Sequence, residues 1–306
     1  MRIVYAGTPA VAVPALEALA ASGHDVVGVV TREDAPLGRR RVLTPSPVAA
    51  AAERLGIPVV KANRLDDDAT ARITAMDAEL GVIVAYGGLV REPLLSAPRH
   101  GWVNLHFSLL PAWRGAAPVQ RALMAGDRET GASVFRLVPA LDAGDVLVER
   151  RTAIGDEETA GALLDRLATE QAGLVVEAAD AIAAGTAVAR PQAGEPTFAP
   201  KLGLADGRLD WSEPAVRVLD RYRGVTPEPG AHTEVDGARL KVLELAADAG
   251  DAEPLPPGRI ALVGRRALVG TGTGPLRLVR VQPAGGKAMA AADWVRGRAG
   301  AEVVAR

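Results

Sequence analysis

The chain has 306 residues, of which 48% are hydrophobic and 24% charged, and its formal net charge at pH 7 is -2. This length is about twice a typical domain of ~150 residues, so we expect two domains. The composition is that of a folded globular protein, and the lack of cysteine excludes disulfides, thiolate metal ligands and a cysteine nucleophile.

The amino-terminal segment has two features of a signal peptide, an early Arg2 and small apolar residues. Pro9, Pro14 and Glu17 interrupt it and favour a strand, a turn and a helix instead. No later run approaches the ~20 apolar residues of a membrane span. We therefore expect a soluble, cytoplasmic protein that does not enter a membrane.

Short apolar runs alternate with helical patterns through the first half of the chain, which predicts an α/β fold with a doubly wound, mostly parallel sheet. The predicted strands are RIVYA, DVVGVVT, IPVV, LGVIVAY and WVNLHF, and the segments between them include the helical SPVAAAAERLG and DDDATARITAM. A long helix is predicted from Glu158 to about Ala184. Such sheets bind ligands at the carboxyl ends of their strands, so we expect the functional site there.

The second half of the chain predicts a small β-barrel of the OB type. The stretch RPQAGEPTFAPKLG is rich in proline and glycine and is interpreted as an interdomain linker. A helical pattern near Glu213 to Arg223 follows, and then the short strands RLKVLEL, GRIALVG, RALVGTG and PLRLVRVQP. The predicted divisions are a first domain at 1–186, a linker at 187–204 and a second domain at 205–306.

Positive charge is concentrated near the end of the chain. Residues 258–306 hold nine Lys or Arg against Asp293 and Glu302, which is a net charge of +7. The rest of the chain must then carry -9 to give the total of -2. An acidic body with a basic end is expected where one region meets a polyanion, although a merely solvated basic surface has the same pattern.

Asn104 and His106 lie two residues apart in WVNLHF, so on a strand their side chains project from the same face. This strand runs into SLLPAWRGAAPVQ, which is loop material up to Pro118, where we expect a helix to begin. Backbone N–H groups near Gly115 to Pro118 would then favour an anionic group. The loop PALDAGD holds Asp142, which acquires a role only if it lies close to His106.

Other chemistries lack their sequence patterns. The four histidines, His24, His100, His106 and His232, have no HExxH or other metal-ligand spacing, so we expect no metal. GxSxG is absent, which leaves Ser108 as a ligand contact or a loop cap. The first loop, AGTPA, has one glycine where GxGxxG has three, so a nicotinamide cofactor is disfavoured.

Four segments together resemble the methionyl-tRNA formyltransferase family over nearly the whole chain. They are the AGTP opening, AYG after the fourth strand, NLHFSLLPAWRGAAPVQ and LDAGD. Asn-x-His, SLLP and LDxGD are shared by folate-dependent formyltransferases in general and so specify the reaction better than the acceptor. AWRGAAPVQ, the basic insertion REDAPLGRRRVLTPSP and LVRVQPAGGKAM resemble the tRNA enzymes in particular.

The resemblance implies transfer of a formyl group from 10-formyltetrahydrofolate to the amino group of initiator methionyl-tRNA, without a metal. Asn104, His106 and Asp142 are then the catalytic residues. The Asn104 amide and the His106 imidazolium would stabilise a developing oxyanion, and His106 would also move protons. Asp142 would orient or charge-stabilise the imidazole. We expect a monomer.

The resemblance also implies where the two substrates bind. The folate-contacting residues are Tyr86, Gly87, Gly88 and Leu89 in one loop and Ser108, Leu109, Leu110 and Pro111 in another. The tRNA-contacting residues are Arg39, Arg40 and Arg41 in the basic insertion, together with Arg114. Adjacent arginines bind phosphate groups and do not recognise particular bases. The alternative interpretation of the basic insertion is a solvent-exposed loop that does not contact tRNA. Arg114 suits either a phosphate or a folate carboxylate.

Two positions depart from the family pattern. Ala112 stands where many relatives have a second arginine, which predicts a weaker tRNA contact. Pro139-Ala140 replaces a pair ending in glycine before Asp142, which removes the backbone freedom of glycine there.

The nearest alternative is formylation of a glycinamide nucleotide or an amino sugar, because the catalytic residues would be the same. The basic insertion and the basic tail argue against it. A noncatalytic tRNA-binding protein is a second alternative, and the presence of Asn104, His106 and Asp142 argues against that.

Overall fold

The computed structural model describes residues 1–38, 40–248, 250, 253–298 and 303–306, and these form two compact units. The first unit consists of Met1–Pro118, Glu129–Ala153 and Leu164–Pro200. The second consists of Val119–Arg128, Ile154–Leu163 and Lys201–Arg306. Among the described residues, no helix combines the length and the apolar character of a membrane span.

The first unit is built on one large sheet, with two short strand pairs outside it. The strands up to residue 200 are β1 (Arg2–Gly7), β2 (Asp25–Thr31), β3 (Ala35–Leu37), β4 (Val42–Thr44), β5 (Val59–Lys61), β6 (Leu80–Val84), β7 (Trp102–His106), β8 (Arg114–Gly115), β9 (Glu129–Arg136), β10 (Val146–Ala153) and β11 (Phe198–Ala199). The helices up to residue 200 are α1 (Val13–Ala20), α2 (Pro47–Arg54), α3 (Asp67–Thr74), α4 (Pro118–Ala125), α5 (Ala160–Glu170) and α6 (Leu174–Ala183). A 3-10 turn at Ala10–Ala12 precedes α1.

The large sheet has the strand order β10-β9-β7-β6-β1-β2-β5. The strands β5, β2, β1, β6 and β7 pair in parallel, whereas β9 and β10 form an antiparallel edge beside β7. From β1 the chain moves to β2 and β5 on one side and later to β6 and β7 on the other. The predicted doubly wound, mostly parallel sheet is therefore confirmed. Its strand order reverses between β1 and β6, which is where such sheets open a ligand crevice.

Burial of the central strands follows from their near-continuous apolar sequences. All five residues of β6 are buried, and so are the last five of β1. Gly81 on β6 is opposite Trp102 on β7, and a Cβ at Gly81 would lie 2.1 Å from the indole ring. The indole N–H of Trp102 donates to the Leu94 carbonyl at 2.8 Å, which satisfies the polar atom of this buried ring.

The sequence predicted one long helix from Glu158 to about Ala184, and this was wrong. The structure has two helices there, α5 and α6, separated by a turn at residues 171–173. The backbone N–H of Leu174 donates to the Gln171 carbonyl at 3.0 Å across this turn. Gly173 has low helix propensity, which explains why the break occurs there. The apolar periodicity on either side of the break belongs to two separate buried faces.

The second unit contains a closed antiparallel barrel. Its elements after residue 200 are a 3-10 turn (Leu204–Gly207), α7 (Ala215–Gly224), β12 (His232–Val235), β13 (Ala238–Ala247), β14 (Arg259–Val263), β15 (Arg266–Val269), β16 (Leu276–Pro283), β17 (Met289–Ala290), α8 (Ala291–Arg296) and β18 (Val303–Val304). The strand order is β12-β13-β16-β15-β14-β18, with β17 paired to β16. Val235 bridges to Ala305 just beyond β18, which joins the last strand to the first. The predicted small C-terminal barrel is confirmed.

A buried ion pair on α7 connects segments of the second unit that are distant in sequence. Nη2 of Arg223 donates to Oδ1 of Asp220 at 2.7 Å, and the two residues are 5% and 4% exposed. Nη1 of Arg223 donates to the Gly155 carbonyl at 3.1 Å. Gly224 allows α4 to approach, since a Cβ there would lie 2.4 Å from the Met124 side chain.

We expect Arg223→Met to destabilise the protein by about 3–5 kcal/mol, because it removes the buried partner of the Asp220 carboxylate and leaves only Arg217, whose Nη1 is 3.8 Å from Oδ2. The measurement is the urea midpoint followed by tryptophan fluorescence. Arg296→Met is the matched control, since it removes an Asp293–Arg296 pair of the same spacing whose side chains are 57% and 51% exposed. That control is expected to change the free energy of unfolding by less than ~1 kcal/mol. Equal midpoints for the two variants would contradict the assignment.

Candidate active site

The residues predicted to be catalytic lie around the end of β7. Asn104 and His106 lie on β7 as predicted, and Phe135 and Ser133 on β9 are opposite them. The loops that follow β1 and β6 are joined by a hydrogen bond from the Thr8 hydroxyl to the Tyr86 carbonyl at 3.0 Å. The site therefore lies at the carboxyl edge of the sheet, where the sequence analysis predicted it.

The imidazole of His106 is held in one orientation. Its Nε2 lies 2.9 Å from the carbonyl oxygen of Trp113. A carbonyl oxygen only accepts, so Nε2 carries a proton, and in the neutral ring Nδ1 is then an acceptor. Nδ1 faces Oδ2 of Asp142 at 3.8 Å. The ring also meets the edge of Phe135, with centroids 6.4 Å apart. His106 thus has one engaged nitrogen and one basic nitrogen beside a carboxylate.

Burial is the largest influence on the pKa of His106, and it lowers that pKa below the usual value. The Asp142 carboxylate and the Trp113 carbonyl raise it and offset the burial in part. His106 is therefore neutral at pH 7. Because its folded-state pKa lies below that of the unfolded chain, about 6.5, its contribution to stability is present above that pH. The contribution is lost as the pH falls through the lower, folded-state pKa.

Asp142 is held by a hydrogen bond from a neighbouring segment and by the backbone conformation of its own loop. Its Oδ2 accepts a hydrogen bond from the backbone N–H of Gly115 at 2.7 Å. Its φ is 44°, in the left-handed region that aspartate tolerates better than most residues. Gly144 in the same loop cannot carry a side chain, because a Cβ would lie 1.7 Å from the Arg136 carbonyl oxygen. Ala140, where the family pattern has glycine, stays outside the left-handed region, so no glycine is needed there.

The side-chain amide of Asn104 has an unmatched polar atom. Its Oδ1 is buried and has no hydrogen-bond partner among the described residues. The oxygen and nitrogen of an amide are assigned from the surrounding hydrogen bonds, so the amide can present either atom at this position. A buried polar atom without a partner is costly in a folded protein. We interpret Asn104 as a side chain that is completed by a bound ligand.

The loop after β7 is fixed by side-chain hydrogen bonds. The Ser108 hydroxyl donates to the Ala112 carbonyl at 2.6 Å, and the Ser133 hydroxyl donates to the Ser108 carbonyl at 2.8 Å. Trp113 has φ 61°, a conformation that costs a bulky residue about 1–3 kcal/mol. Its backbone N–H donates to the Thr197 hydroxyl at 2.8 Å, and its carbonyl accepts from His106. The strained residue is therefore the one that orients the imidazole.

The residues predicted to contact folate lie in the two loops that follow β6 and β7. Tyr86 is 2% exposed, and its hydroxyl donates to the Ala62 carbonyl at 2.9 Å. The Gly87 carbonyl accepts from the Arg32 guanidinium, whereas Leu89 is 69% exposed. In the second loop Leu110 packs in a small apolar cluster. The remaining predicted contacts are Gly88, Ser108, Leu109 and Pro111. Their role in folate binding stays a prediction.

The residues predicted to contact tRNA fall into two places. The basic insertion forms the antiparallel hairpin β3–β4, and Arg40 and Arg41 are exposed in its turn. Arg39 lies outside the described residues. Arg114 is on β8 instead, where its Nε and Nη2 donate to Oε1 of Gln192 at 3.0 and 2.6 Å. The hairpin side chains are therefore presented to solvent, and the Arg114 guanidinium is engaged within the first unit.

The sequence analysis missed a segment that supports this site, residues 190–199, which we call the strap. It lies within the predicted linker. Arg190 and Val146 exchange backbone hydrogen bonds at 2.8 and 2.9 Å, and β11 pairs in parallel with β8. Gln192 and Thr197 of the strap contact the loops that hold His106 and Asp142. Gln192 and Thr197 are isolated polar residues in a stretch rich in proline and glycine. No helical or strand periodicity in this stretch could have predicted their contacts.

Metal ligands do not cluster in the part of the chain that the structure describes. No group of three or more His, Asp or Glu side chains there could hold a metal ion.

Comparison with known proteins establishes the family. Residues 1–179 match the model described as formyl transferase, and residues 201–299 match that of the formyl transferase C-terminal domain. The chain is 64% identical over 306 residues to the methionyl-tRNA formyltransferase of Clavibacter sepedonicus, with both chains covered in full. The chain therefore belongs to the formyl transferase family, within its group of methionyl-tRNA formyltransferases.

Two solved structures share the fold. One is the N-formyltransferase of Helicobacter canadensis in complex with folinic acid and dTDP-3-aminofucose, with a TM-score of 0.68 and 13% identity over 90% of this chain and 98% of that one. The other is HypX of Aquifex aeolicus in complex with tetrahydrofolic acid, with a TM-score of 0.62 and 17% identity. That comparison covers 96% of this chain, which spans 47% of the HypX chain. Identities this low establish the common fold alone.

We expect Asp142→Asn to lower the pKa of His106 further, since the variant keeps the shape of the side chain and removes the charge that raises this pKa. Proton NMR titration of the imidazole resonances measures the effect. The chain has only four histidines, so the His106 signal can be assigned from its loss in His106→Gln. Asp68→Asn, at a side chain that is 83% exposed, is the control. An unchanged or raised pKa in Asp142→Asn would contradict the geometry.

Proposed function

We propose that this chain transfers the formyl group of 10-formyltetrahydrofolate to the α-amino group of initiator methionyl-tRNA, which yields N-formylmethionyl-tRNA for translation initiation. The observation that carries the reaction is the position of His106, which is buried and neutral and whose basic Nδ1 lies 3.8 Å from the Asp142 carboxylate. His106 lies on the same face of its strand as Asn104. The 64% identity over the full length to a methionyl-tRNA formyltransferase supports the acceptor.

His106 moves the proton in this proposal. An amine that attacks a formyl carbon must lose a proton as the new C–N bond forms, and the unprotonated Nδ1 accepts it. The resulting imidazolium is stabilised by the Asp142 carboxylate at 3.8 Å and by the Trp113 carbonyl at Nε2. His106 then returns the proton to the nitrogen that loses the formyl group, so that the old C–N bond breaks with a neutral amine leaving.

Asn104 stabilises charge in this proposal. Negative charge develops on the formyl oxygen while the new bond forms, and a fixed amide N–H is a suitable donor to it. The amide of Asn104 fits this role, because its buried Oδ1 has no partner among the described residues and the amide can be turned to present its N–H group at that position. In the bound state its N–H group would point to the reacting oxygen and its Oδ1 would accept from a substrate or water donor.

The folate fits the loops after β6 and β7. When bound, 10-formyltetrahydrofolate supplies an activated formyl group. The loop from Tyr86 to Leu89 and the loop from Ser108 to Pro111 flank the crevice that a doubly wound sheet offers to ligands. Folinic acid and tetrahydrofolic acid are bound by two proteins of the same fold, which supports a folate in this crevice.

The tRNA is favoured over a small acceptor by the charge distribution. Arg40 and Arg41 are exposed on the β3–β4 hairpin, and residues 258–306 carry a net charge of +7. Exposed cations of this kind supply affinity for a phosphate backbone. An amino sugar or a glycinamide nucleotide would need neither feature. The neighbour that binds dTDP-3-aminofucose is 13% identical to this chain, whereas the relative that is 64% identical is a methionyl-tRNA formyltransferase, so a tRNA acceptor is favoured over a sugar.

We expect formyl transfer from 10-formyltetrahydrofolate to initiator methionyl-tRNA, with far less transfer to elongator methionyl-tRNA and none to free methionine. Replacing the proton carrier in His106→Gln should lower kcat by about 10²–10⁴. Removing the oxyanion donor in Asn104→Ala should lower it by about 10²–10³. Asn63→Ala is the control, because that amide lies on the surface against Glu33. Transfer to no tRNA by an enzyme that still binds the folate would sink the acceptor assignment.

The hairpin arginines should act through tRNA affinity alone. We expect Arg40→Ala with Arg41→Ala to raise the KM for tRNA and leave kcat at saturation unchanged. The slope of log kcat/KM against log salt concentration should fall by roughly 0.7–0.9 per lost phosphate contact. Arg72→Ala, which removes a half-exposed cation on α3, is the matched control. An unchanged salt slope in the hairpin variant would show that the hairpin is only a solvated loop.

A further inference from the structure

Gln192 of the strap uses its whole side-chain amide in hydrogen bonds. Nε2 donates to the Asp142 carbonyl at 2.8 Å and to the Gly144 carbonyl at 2.8 Å. Oε1 accepts from Nε and Nη2 of Arg114 at 3.0 and 2.6 Å. We propose that Gln192 is a positioning residue for formyl transfer, which holds the Asp142 carboxylate beside His106. This inference rests on the proposed function, because it takes Asp142 to act on His106 during the reaction.

The orientation of the Gln192 amide is fixed by its partners. An amide nitrogen has two N–H groups and its oxygen only accepts, and here the nitrogen faces two carbonyls while the oxygen faces a guanidinium. If the amide were rotated by half a turn, Oε1 would face the carbonyl oxygens of Asp142 and Gly144, and the N–H groups would face the Arg114 guanidinium. Both contacts would be repulsive. Only one orientation is therefore compatible with the surroundings, and the carbonyls on both sides of Ala143 are clamped by one atom.

The clamp acts on the same loop as the hydrogen bond that holds the Asp142 carboxylate. Asp142 lies in the left-handed region at φ 44°, and its carboxylate reaches the Gly115 N–H at 2.7 Å. Gly115 follows Arg114, whose guanidinium contacts the opposite end of Gln192. Gln192, Asp142, Gly115 and Arg114 thus form a closed ring of covalent and hydrogen bonds. A ring of this kind resists displacement of any one member better than a chain of contacts does.

The strap also fixes the other partner of His106. Thr197 accepts from the Trp113 N–H through its hydroxyl at 2.8 Å, and its carbonyl accepts from the Arg114 N–H at 2.9 Å. Trp113 is the residue whose carbonyl binds Nε2 of His106. One short segment therefore contacts the backbones of Trp113 and Asp142, the two residues that face the ring nitrogens of His106. Gln192 is the strap residue that holds the Asp142 backbone, and the position of the carboxylate depends on it through that backbone.

The test uses the full-length enzyme with Gln192→Met and Gln192→Glu. The first variant removes all four hydrogen bonds at similar side-chain length. The second keeps an acceptor for Arg114 and sets a carboxylate against the two carbonyls of the Asp142 loop. Arg2→Met is the matched control, because Arg2 also clamps two loop carbonyls, those of Met76 and Asp77, at the amino end of β1. The readouts are kcat, the KM of each substrate and the NMR titration of His106 in the free enzyme.

We expect both Gln192 variants to lower kcat by roughly 10- to 100-fold, as misplacement of a group by about 1 Å does. The KM values should change by less than about threefold, since ground-state binding is not altered. His106 should titrate at lower pH than in the wild type, because the carboxylate that raises its pKa has moved away. Arg2→Met should lose stability and leave kcat and the His106 titration unchanged.

A wild-type kcat and a wild-type His106 titration in either Gln192 variant would overturn the proposal. So would equal effects of Gln192→Met and Arg2→Met on the titration, since these would indicate a general loss of stability. Absence of formyl transfer by the wild type would overturn the proposed function instead. In that case the titration of the free enzyme still decides whether Gln192 positions Asp142, because it does not depend on turnover.

Discussion

Burial of the His106 imidazole between a carbonyl and a carboxylate is the constraint on which the rest of the site depends. Desolvation keeps the ring neutral, and the Trp113 carbonyl at 2.9 Å fixes which nitrogen carries the proton. The nitrogen left basic is the one that faces Asp142. An imidazole that accepts and then returns a proton must be neutral at the start, because a charged ring has no free lone pair. It also needs the carboxylate and the carbonyl beside it, because an unpaired imidazolium would be costly in this buried environment.

The sheet supplies the burial, and the loops supply the polar partners. His106 ends β7, with β6 on one side and the antiparallel β9 on the other, so apolar neighbours such as Phe135 surround the ring. The carbonyl and the carboxylate come from two loops that the large sheet does not position by itself. Both are held from outside by hydrogen bonds to the strap. Misplacing the strap would therefore alter the chemistry while leaving the sheet intact.

Sequence reasoning was most successful where the structural cause is local. Alternating apolar runs predicted the central strands, and the spacing of Asn104 and His106 placed both on one face of β7. The break between α5 and α6 was missed because one glycine interrupts two faces of similar periodicity. Pro118 was predicted to begin a helix and does begin α4.

The contacts that could not be predicted join residues far apart in the chain. Gln192 is 50 residues from Asp142 and 78 from Arg114, and neither separation has a sequence signal. Closure of the barrel likewise depends on the bridge between Val235 and Ala305. Proximity of Asp142 to His106 became a prediction only through the family resemblance, since an acidic residue in a turn most often serves the turn itself. The resemblance could name the members of the site but not what holds them together.

The most direct measurement of the central claim is the tautomer of neutral His106, read from the ¹⁵N chemical shifts and the ¹⁵N–¹H couplings of its ring in the free enzyme at a pH above its pKa. We predict the Nε2–H tautomer, with Nδ1 unprotonated, because the Trp113 carbonyl can only accept. An Nδ1–H tautomer would contradict this. It would mean that the nitrogen facing Asp142 already holds the proton that the attacking amine must give up.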